Sequence, residues 1–459
     1  MSIATVDPAT GELIRRYDHL TAEQVEAALA ASAAAFTRLR ATGYVERARW
    51  LRAAADLLDA ERDDIAATMT LEMGKPLAAA RAEAAKCAIA CRHYADHAAS
   101  YLADEPLPDP SEVGAVAAYA RYRPLGPVLA VMPWNFPLWQ VIRFAAPALM
   151  AGNTGLLKHA SNVPATALYL GGLFTRAGFP AGAFQTLLVG ADAVEGILAD
   201  PRVRAATLTG SETAGRSVAA FAGRHLKKTV LELGGSDPFV VMPSADLDRA
   251  ARTAVTSRCQ NNGQSCIAAK RFIVHADVHE PFLAAFVAGM RALRMGDPAD
   301  EATQIGPLAT ASGRAEVAAQ VADALAHGAI AHCGAVTPGG PGWFYPPTVL
   351  TDVTPTMRLW SEEVFGPVAA VHRVHSDAEA LALANASAFG LGASVWTTDP
   401  AEQDRFAAEL DAGAVFVNGM TTSFPQLPFG GVKNSGYGRE LGAHGIREFC
   451  NLTTVWAGR

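Results

Sequence analysis

The chain has 459 residues, of which 50% are hydrophobic and 18% charged, and its formal net charge is −7. This length indicates about three domains with a large core, and the mild acidity without a Lys/Arg run argues against a nucleic-acid partner. No apolar run approaches the ~20 residues that cross a bilayer. The first seven residues lack the basic and hydrophobic regions of a signal peptide. The six cysteines form no CxxC pair, so we expect no metal site and a reducing cytoplasm.

The first hundred residues are predicted to be mostly helical. The run TAEQ at residues 21–24 is a capping box, and apolar residues on one helical stripe follow it as far as Leu39. The helical pattern continues to Met73 and is interrupted at residues 74–76 (GKP). Three prolines in alternate positions between residues 106 and 110 then predict an extended linker.

Beyond this linker, short apolar runs alternate with helical segments, which is typical of parallel sheets with helical crossovers. The first set of runs comprises residues 128–132, 154–157, 185–189, 205–208 and 229–231. The second set comprises residues 239–241, 271–274, 368–372, 393–396 and 414–417. We therefore predict an α/β fold with two Rossmann-like parallel-sheet domains and a small β arm.

The polar run NNGQSC at residues 261–266 ends in a cysteine with no obvious packing role. Small polar neighbours are not the wall of an apolar core, and residues 267–270 (IAAK) are expected to begin a helix. A thiol beside a helix N-terminus has a lowered pKa and is a better nucleophile. The alternative is that Cys266 is a buried small hydrophobic residue, as most free cysteines are.

A nucleotide site is indicated although no GxGxxG motif follows a strand. The strand at 205–208 leads into residues 209–211 (TGS) and then a helix from Glu212. A glycine and a hydroxyl at a helix start can receive a pyrophosphate through backbone N–H groups, although an ordinary N-cap serine is the alternative. Lys158 directly follows another strand, at the end of the sheet where ligands of such folds bind.

Together these segments resemble the aldehyde dehydrogenase superfamily, and further motifs extend the resemblance over nearly the whole chain. In chain order the motifs are PWNFP at 133–137, LKHAS at 157–161, TGS at 209–211, LELGG at 231–235, NNGQSC at 261–266, EVFGP at 363–367 and PFGG at 428–431. Each motif is weak alone, but seven in the family's order are specific. The runs LELGGSDPF, AAKRFI and YPPTVL and the ending EFCNLTTV resemble the shorter type of bacterial succinate-semialdehyde dehydrogenase.

The resemblance implies three catalytic residues: Cys266, Asn135 and Glu232. Cys266 would attack an aldehyde, and the Asn135 amide with the Cys266 backbone N–H would stabilise the oxyanion. After hydride transfer leaves a thioester, Glu232 would activate water and release a carboxylic acid. Relatives that pass the acyl group to coenzyme A or phosphate do not need this base, so its presence favours hydrolysis. Taken singly, Asn135 could be a turn residue and Glu232 a charge at a strand end.

The implied cofactor is NAD or NADP. The residues expected to bind it are Met132, Pro133, Trp134, Lys158, Ser161, Gly210, Ser211, Leu233, Gly234, Glu363 and Phe365. Lys158 and Glu363 would hold ribose hydroxyls, and Trp134 and Phe365 would flank the cofactor. NAD-specific relatives often carry a glutamate where this chain has Ser161, and a neutral serine leaves room for a 2′-phosphate beside Lys158. NADP is therefore expected to be tolerated.

For the substrate, the resemblance points to Arg143, Gln260 and Ser423. Arg143 matches an arginine that binds the substrate carboxylate in succinate-semialdehyde dehydrogenases, and a guanidinium in an apolar helix needs an anionic partner. The alternative is a structural ion pair. Some of these enzymes carry a second arginine where this chain has Gln260, and Ser423 could line the tunnel mouth. Succinate semialdehyde is the expected substrate, with a broader range of aliphatic or aromatic aldehydes as the alternative.

The resemblance also divides the chain into domains. Residues 1–106 and 126–234 would form the NAD(P)-binding domain, residues 235–436 the catalytic domain, and residues 107–125 with 437–459 an arm that forms a homodimer or homotetramer. Two other classes fit less well. A non-catalytic protein would have lost one of the three catalytic residues, and a cysteine hydrolase would need a histidine base, which no motif among the twelve histidines supplies.

Overall fold

The structure, a computed structural model, describes residues 3–459. Met1 and Ser2, the start of the segment that is not expected to be a signal peptide, lie outside the described residues. Between residues 3 and 459 no helix has the length and apolar character to cross a membrane. The same range contains no group of three His, Cys, Asp or Glu side chains arranged to hold a metal ion.

The helices and strands follow one another in an α/β order. The α-helices are α1 Ala22–Leu39, α2 Tyr44–Ala60, α3 Arg62–Met73, α4 Leu77–Tyr101, α5 Trp139–Ala151, α6 Pro164–Arg176, α7 Ala193–Ala199, α8 Glu212–Arg224, α9 Leu247–Cys259, α10 Ala276–Ala292, α11 Ala311–Ala326, α12 Arg358–Ser361, α13 Asp377–Asn385, α14 Pro400–Glu409 and α15 Gly442–Glu448. The strands are β1 Ile3–Val6, β2 Leu13–Tyr17, β3 Glu105–Pro106, β4 Ala117–Pro124, β5 Pro127–Met132, β6 Thr154–His159, β7 Phe184–Thr186, β8 Ala205–Thr209, β9 Lys228–Glu232, β10 Asp237–Val241, β11 Ala269–His275, β12 Ile330–Cys333, β13 Thr348–Thr351, β14 Val368–Val374, β15 Phe389–Gly390, β16 Gly392–Trp396, β17 Ala414–Val417, β18 Val432–Lys433, β19 Gly436–Tyr437 and β20 Cys450–Ala457.

The helical N-terminal region begins as its sequence predicts. The Thr21 hydroxyl accepts from the Gln24 backbone N–H at 3.3 Å, and the Gln24 side chain accepts from the Thr21 N–H at 2.8 Å, so the capping box is confirmed. On the buried face of α1, the Ser32 hydroxyl hydrogen-bonds to that of Thr154 at 2.8 Å. The hairpin of β1 and β2 precedes these helices and was not predicted, because its strands are short and mix polar with apolar residues.

The first large sheet has the strand order β19-β9-β8-β5-β6-β7. Strands β9, β8, β5, β6 and β7 are parallel to their neighbours, and β19 alone is antiparallel. Val131 is in register with Lys158 and Leu208, and Thr209 with Glu232. The carboxyl ends of four adjacent strands therefore meet at one edge, where ligands bind in folds of this kind. The predicted strand at 185–189 is shorter in the structure and ends at Thr186.

The second large sheet has the order β12-β13-β14-β11-β10-β16-β17, and only β12 is antiparallel to its neighbour. Its core contains packed aromatic rings, including Phe239 against Phe272 with ring centroids 5.3 Å apart and against Trp396 at 5.6 Å. Two parallel sheets with helical crossovers agree with the predicted α/β fold.

The remaining strands form a small antiparallel sheet in the order β20-β4-β3, with Cys450 to Ala457 paired along Pro124 to Ala117. The segment 437–459, which was predicted to belong to the arm, is not all part of this sheet. Tyr437 pairs with Leu231 of the first large sheet, and α15 intervenes before β20 begins. The domain limits given above stay predictions.

Candidate active site

A cavity of about 290 Å³ lies where the carboxyl ends of the first sheet meet the segments that precede β11 and β14. Its lining residues are Pro133, Trp134, Asn135, Gln140, Thr209, Gly210, Ser211, Leu233, Gly234, Cys266, Glu363 and Phe365. The structure thus brings together residues from five of the seven motifs. Gln140 and Thr209 were not named beforehand as site residues, although Thr209 belongs to the TGS motif and Gln140 lies five residues after Asn135.

The turn that presents Cys266 is held by the two asparagines before it. Asn261 and Asn262 adopt φ of 54° and 58°, a left-handed conformation that asparagine tolerates better than most residues. The Asn262 amide donates to the carbonyls of Gly74 (2.8 Å) and Pro307 (2.9 Å), and its oxygen accepts from the Gly306 N–H at 2.8 Å. The polar residues of this motif therefore fix the backbone of the turn, which explains why an apolar sequence is absent here.

The predicted helix after Cys266 is wrong. Residues after Cys266 make a turn, and strand β11 begins at Ala269, since the short run IAAK is compatible with either a helix or a buried strand. The expected lowering of the thiol pKa is also wrong. Burial raises the pKa of Cys266 to about 12, and the positive charges of Lys270 and Arg143 only partly oppose this shift.

Asn135 lies in the turn after β5 and is 3% exposed. Its backbone carbonyl accepts from the Asn261 amide at 2.7 Å, and its side-chain Nδ2 donates to the Gln264 carbonyl at 3.1 Å. Gln140 donates to Asn135 Oδ1 at 3.4 Å, which fixes the orientation of the amide. Because a primary amide has two N–H donors, one remains to stabilise an oxyanion formed at Cys266.

Glu232 is the last residue of β9 and is 2% exposed. Neither of its carboxylate oxygens has a hydrogen-bond partner within the described part of the chain. Burial, followed by the charge of Glu440, raises the pKa of Glu232 to about 8, while Arg143 and Arg439 act in the opposite direction. A buried carboxylate without a partner is costly for stability, and a pKa near neutrality is what a general base requires.

The predicted carboxylate anchor, Arg143, already has a carboxylate partner. It is 2% exposed and forms a buried ion pair with Glu440. Its guanidinium carbon lies 4.7 Å from the ring centroid of Phe429, and one nitrogen donates to Thr209 Oγ1 at 3.3 Å. These contacts support the structural alternative for Arg143, and its binding of a substrate carboxylate stays a prediction.

Gln260 and Ser423, the other predicted substrate residues, do not line the cavity around Cys266. Gln260 begins the turn before the cysteine, and its Nε2 has no hydrogen-bond partner among residues 3–459. Ser423 is 4% exposed. Its hydroxyl accepts from Lys86 Nζ at 2.9 Å and from Trp139 Nε1 at 3.1 Å.

Glu363, one of the predicted cofactor residues, uses only one of its two carboxylate oxygens in hydrogen bonds. Oε1 accepts from the Gly235 N–H at 3.1 Å and from Lys270 Nζ at 3.3 Å, so Oε2 remains available. The rings of Trp134 and Phe365 meet edge to face with centroids 5.6 Å apart. Both side chains line the cavity beside Glu363.

Lys158, at the end of β6, has no hydrogen-bond or ion-pair partner in residues 3–459, and burial lowers its pKa. Its neighbour His159 does not face a ligand, because Nδ1 accepts from the Ala160 N–H and Nε2 donates to the Pro137 carbonyl, each at 2.9 Å. Burial lowers the pKa of His159 to about 4. Ser161, whose carbonyl accepts from Ala4 N–H at 3.1 Å, is partly buried.

Ser211 is the N-cap of α8 and accepts from the Ala214 N–H at 3.3 Å, so the capping alternative describes its side chain. Its neighbour Gly210 lines the cavity with it. Met132 is 2% exposed at the end of β5 and is not part of the lining. A free ammonium at Lys158 and a free oxygen on Glu363 suit ribose hydroxyls. The residues present therefore fit a nicotinamide dinucleotide.

The site combines a cysteine, an oriented amide and a buried carboxylate with a strand-to-helix turn that fits a dinucleotide. This combination defines a cysteine-dependent dehydrogenase. A profile described as "Aldehyde dehydrogenase family" matches residues 1–455. The chain belongs to the aldehyde dehydrogenase family.

Relatives with assigned activities match the whole chain. It is 64% identical over 456 residues to succinate-semialdehyde dehydrogenase [NADP(+)] 1 of Mycobacterium tuberculosis (strain ATCC 25618 / H37Rv), covering 99% of this chain and 100% of the relative. It is 62% identical over 459 residues to succinate-semialdehyde dehydrogenase [NADP(+)] of Mycobacterium avium (strain 104), covering 100% and 97%. The crystal structure of succinic semialdehyde dehydrogenase from Streptococcus pyogenes in complex with NADP+ superposes with a TM-score of 0.96 at 36% identity, covering 100% of both chains.

Replacing Gly234 by alanine is expected to weaken cofactor binding. An added Cβ would lie 2.5 Å from Glu363 Oε2 and 3.2 Å from the Phe389 ring, so Glu363 would have to move. Overpacking of this kind costs about 1–3 kcal/mol, so we expect the cofactor KM to rise about tenfold with a smaller change in aldehyde KM. Gly223→Ala on α8, with nothing within 4 Å of the new Cβ, is the control. Equal cofactor KM values in the two variants would contradict this assignment.

Proposed function

We propose that this chain oxidises succinate semialdehyde to succinate with NADP as the electron acceptor. The observation that carries the proposal is the 64% identity, over 99% of the chain, with mycobacterial enzymes named for this reaction. The placement of three side chains supports it. Cys266 and Asn135 line the cavity as nucleophile and oxyanion donor, and Glu232, the base, is buried close enough for its charge to act on Cys266. The proposed location is the cytoplasm, and the proposed assembly is a homodimer or homotetramer formed through the sheet of β3, β4 and β20.

The reaction begins with addition of the Cys266 sulfur to the aldehyde carbon. Because burial raises the thiol pKa to about 12, the thiol proton has to pass to water as the sulfur adds, and the charges of Lys270 and Arg143 favour the thiolate. The oxygen of the tetrahedral adduct then receives hydrogen bonds from the Asn135 amide and the Cys266 backbone N–H. Loss of one such donor typically costs about 10²–10³ in rate.

A bound nicotinamide would supply the hydride acceptor for this adduct. The residues suited to hold the cofactor are Lys158 and Glu363 at the ribose groups, with Gly210 and Ser211 at the start of α8. The acyl group then remains on Cys266 as a thioester. Glu232 removes a proton from water, which attacks the thioester carbon and releases succinate and the free thiol.

NADP is the proposed cofactor because no carboxylate occupies the position of Ser161, which follows Lys158 by three residues. A 2′-phosphate there would meet an ammonium without ion-pair partners and a neutral hydroxyl.

A broader range of aldehydes is the second candidate. The pairing of Arg143 with Glu440 favours it, since that arginine is not free to select a carboxylate.

The proposed function is tested by measuring kcat/KM for succinate semialdehyde, glutarate semialdehyde, butanal and benzaldehyde, each with NAD and with NADP. We expect the highest value for succinate semialdehyde with NADP. A flat profile, or one that favours the neutral aldehydes, would assign the broader activity instead.

Replacing Glu232 by glutamine is expected to separate acylation from hydrolysis. The variant should release one burst of reduced cofactor per active site and then turn over about 10²–10⁴ times more slowly than the wild type. In the wild type, the rate of thioester hydrolysis should rise with pH and reach half its maximum near pH 8, because only ionised Glu232 accepts a proton. Rapid-quench and steady-state assays between pH 6 and 9 measure both effects, and Cys266→Ala, which should give no burst, is the control. An unchanged steady-state rate would show that Glu232 is not the base.

Replacing Ser161 by glutamate is expected to discriminate against NADP. The new carboxylate would repel the 2′-phosphate, because both groups are negatively charged. A repulsion of about 1.4–3 kcal/mol would raise the KM for NADP about 10- to 100-fold. The KM for NAD should change little, since a ribose hydroxyl can donate to the new carboxylate. Ser161→Ala, which adds no charge, is the matched control. Equal effects on the two cofactors would remove Ser161 from the cofactor-selecting residues.

A further inference from the structure

Lys86, on helix α4, is a partly buried cation that has no carboxylate partner within residues 3–459. Its Nζ lies 4.2 Å from the ring centroid of Trp139 and donates to the Ser423 hydroxyl at 2.9 Å. Burial, followed by the charge of Arg143, lowers the pKa of Lys86 to about 8. The nearby carboxylate of Glu83 is already paired with Lys75 and accepts from two backbone N–H groups at the start of α5. A partly buried ammonium without an ion-pair partner is stabilised when it binds an anion.

Ser423 is oriented by two donors. Its oxygen accepts both from Lys86 Nζ and from Trp139 Nε1. A hydroxyl oxygen has two lone pairs and one proton, so a serine whose lone pairs are both used has only its own proton left to donate. Its acceptor has to be another group, and a carboxylate oxygen suits it. Two of the three Lys86 N–H donors likewise have no oxygen acceptor among residues 3–459, so Lys86 and Ser423 together can offer up to three hydrogen bonds to an anion.

This cluster adjoins the catalytic turn. Trp139 is the first residue of α5, four residues after Asn135, and the next residue, Gln140, lines the cavity around Cys266. Phe136 and Cys266 pack against the large core cluster that contains Trp139, and the charge of Arg143 acts on both Lys86 and Cys266. Lys86 and Cys266 therefore both lie near the segment of α5 that carries Trp139 and Arg143.

We propose that Lys86 and Ser423 bind the carboxylate of the semialdehyde substrate, in place of Arg143, which is committed to Glu440. This inference rests on the proposed function and names the residues that would select the anion. Trp139 has two roles in it: its indole N–H orients Ser423, and its ring holds the Lys86 ammonium in place.

The test compares succinate semialdehyde with butanal, a neutral aldehyde of the same chain length, in the full-length enzyme. Lys86→Met is expected to lower kcat/KM for succinate semialdehyde about 10- to 100-fold more than that for butanal, as loss of a charge-assisted hydrogen bond predicts. Ser423→Ala should reduce the same ratio by a smaller factor. Lys86→Arg, which keeps the charge, should retain most of the preference. Arg92→Gln, on the exposed side of the same helix and paired with Asp56 and Asp59, is the control and should leave both values within about twofold.

Each outcome decides the inference. If the wild type prefers succinate semialdehyde and Lys86→Met keeps that preference, Lys86 is not the anchor, while the proposed function stands. If the wild type shows no preference for the anion, the proposed substrate and the anchor are both overturned. If Lys86→Met loses activity on both aldehydes equally, Lys86 has a structural role, and an unchanged preference in Ser423→Ala would confirm that result.

Discussion

The side chain of Asn262 makes the contacts on which the active site depends. One amide holds three backbone segments: the end of α3 at Gly74, the cysteine turn to which it belongs, and the loop at Gly306 and Pro307. Its own backbone is left-handed, and that conformation persists because the surrounding contacts over-determine it. Asn261 extends the same arrangement by hydrogen-bonding to the Asn135 carbonyl. Cys266 and Asn135, the proposed nucleophile and oxyanion donor, are therefore positioned by one short polar sequence.

Charge burial is the second constraint on the site. Glu232, Glu440 and Arg143 lie together with little exposure to solvent, and one guanidinium faces two carboxylates. The arginine pairs with Glu440, and Glu232 has no hydrogen-bond partner among residues 3–459. Burial, followed by the charge of Glu440, raises the pKa of Glu232 to about 8. Because Arg143 pairs with Glu440 and not with Glu232, the pKa of Glu232, the proposed base, stays near neutral pH. Burial also raises the thiol pKa, so reactivity at Cys266 depends on nearby cations rather than on a helix end.

Much of this arrangement could be predicted from the sequence, because periodicity and capping are local properties. The capping box at Thr21 and the strands of the two large sheets other than β12, β13 and β19 follow from patterns of a few residues. The error after Cys266 arose because a run such as IAAK fits helix and strand equally, and the sheet decides between them. The partner of Arg143 could not be inferred either. Glu440 is about three hundred residues away, and nothing local indicates that the two charges meet. Lys86 gave no signal in the sequence for the same reason, since its neighbours Trp139 and Ser423 come from distant segments.

Lys270 lies between the Cys266 backbone and the Glu363 carboxylate and connects the two groups. Its ammonium donates both to the Cys266 backbone carbonyl at 2.6 Å and to the Glu363 carboxylate at 3.3 Å. A ligand that competes for Glu363 changes the interactions left to Lys270, and Lys270 is the cation that most favours the Cys266 thiolate. Because such coupling is thermodynamically reciprocal, a change of charge at Cys266 would alter the affinity of a ligand at Glu363 by the same free energy. One buried lysine thus links the proposed cofactor site to the reactivity of the Cys266 thiol.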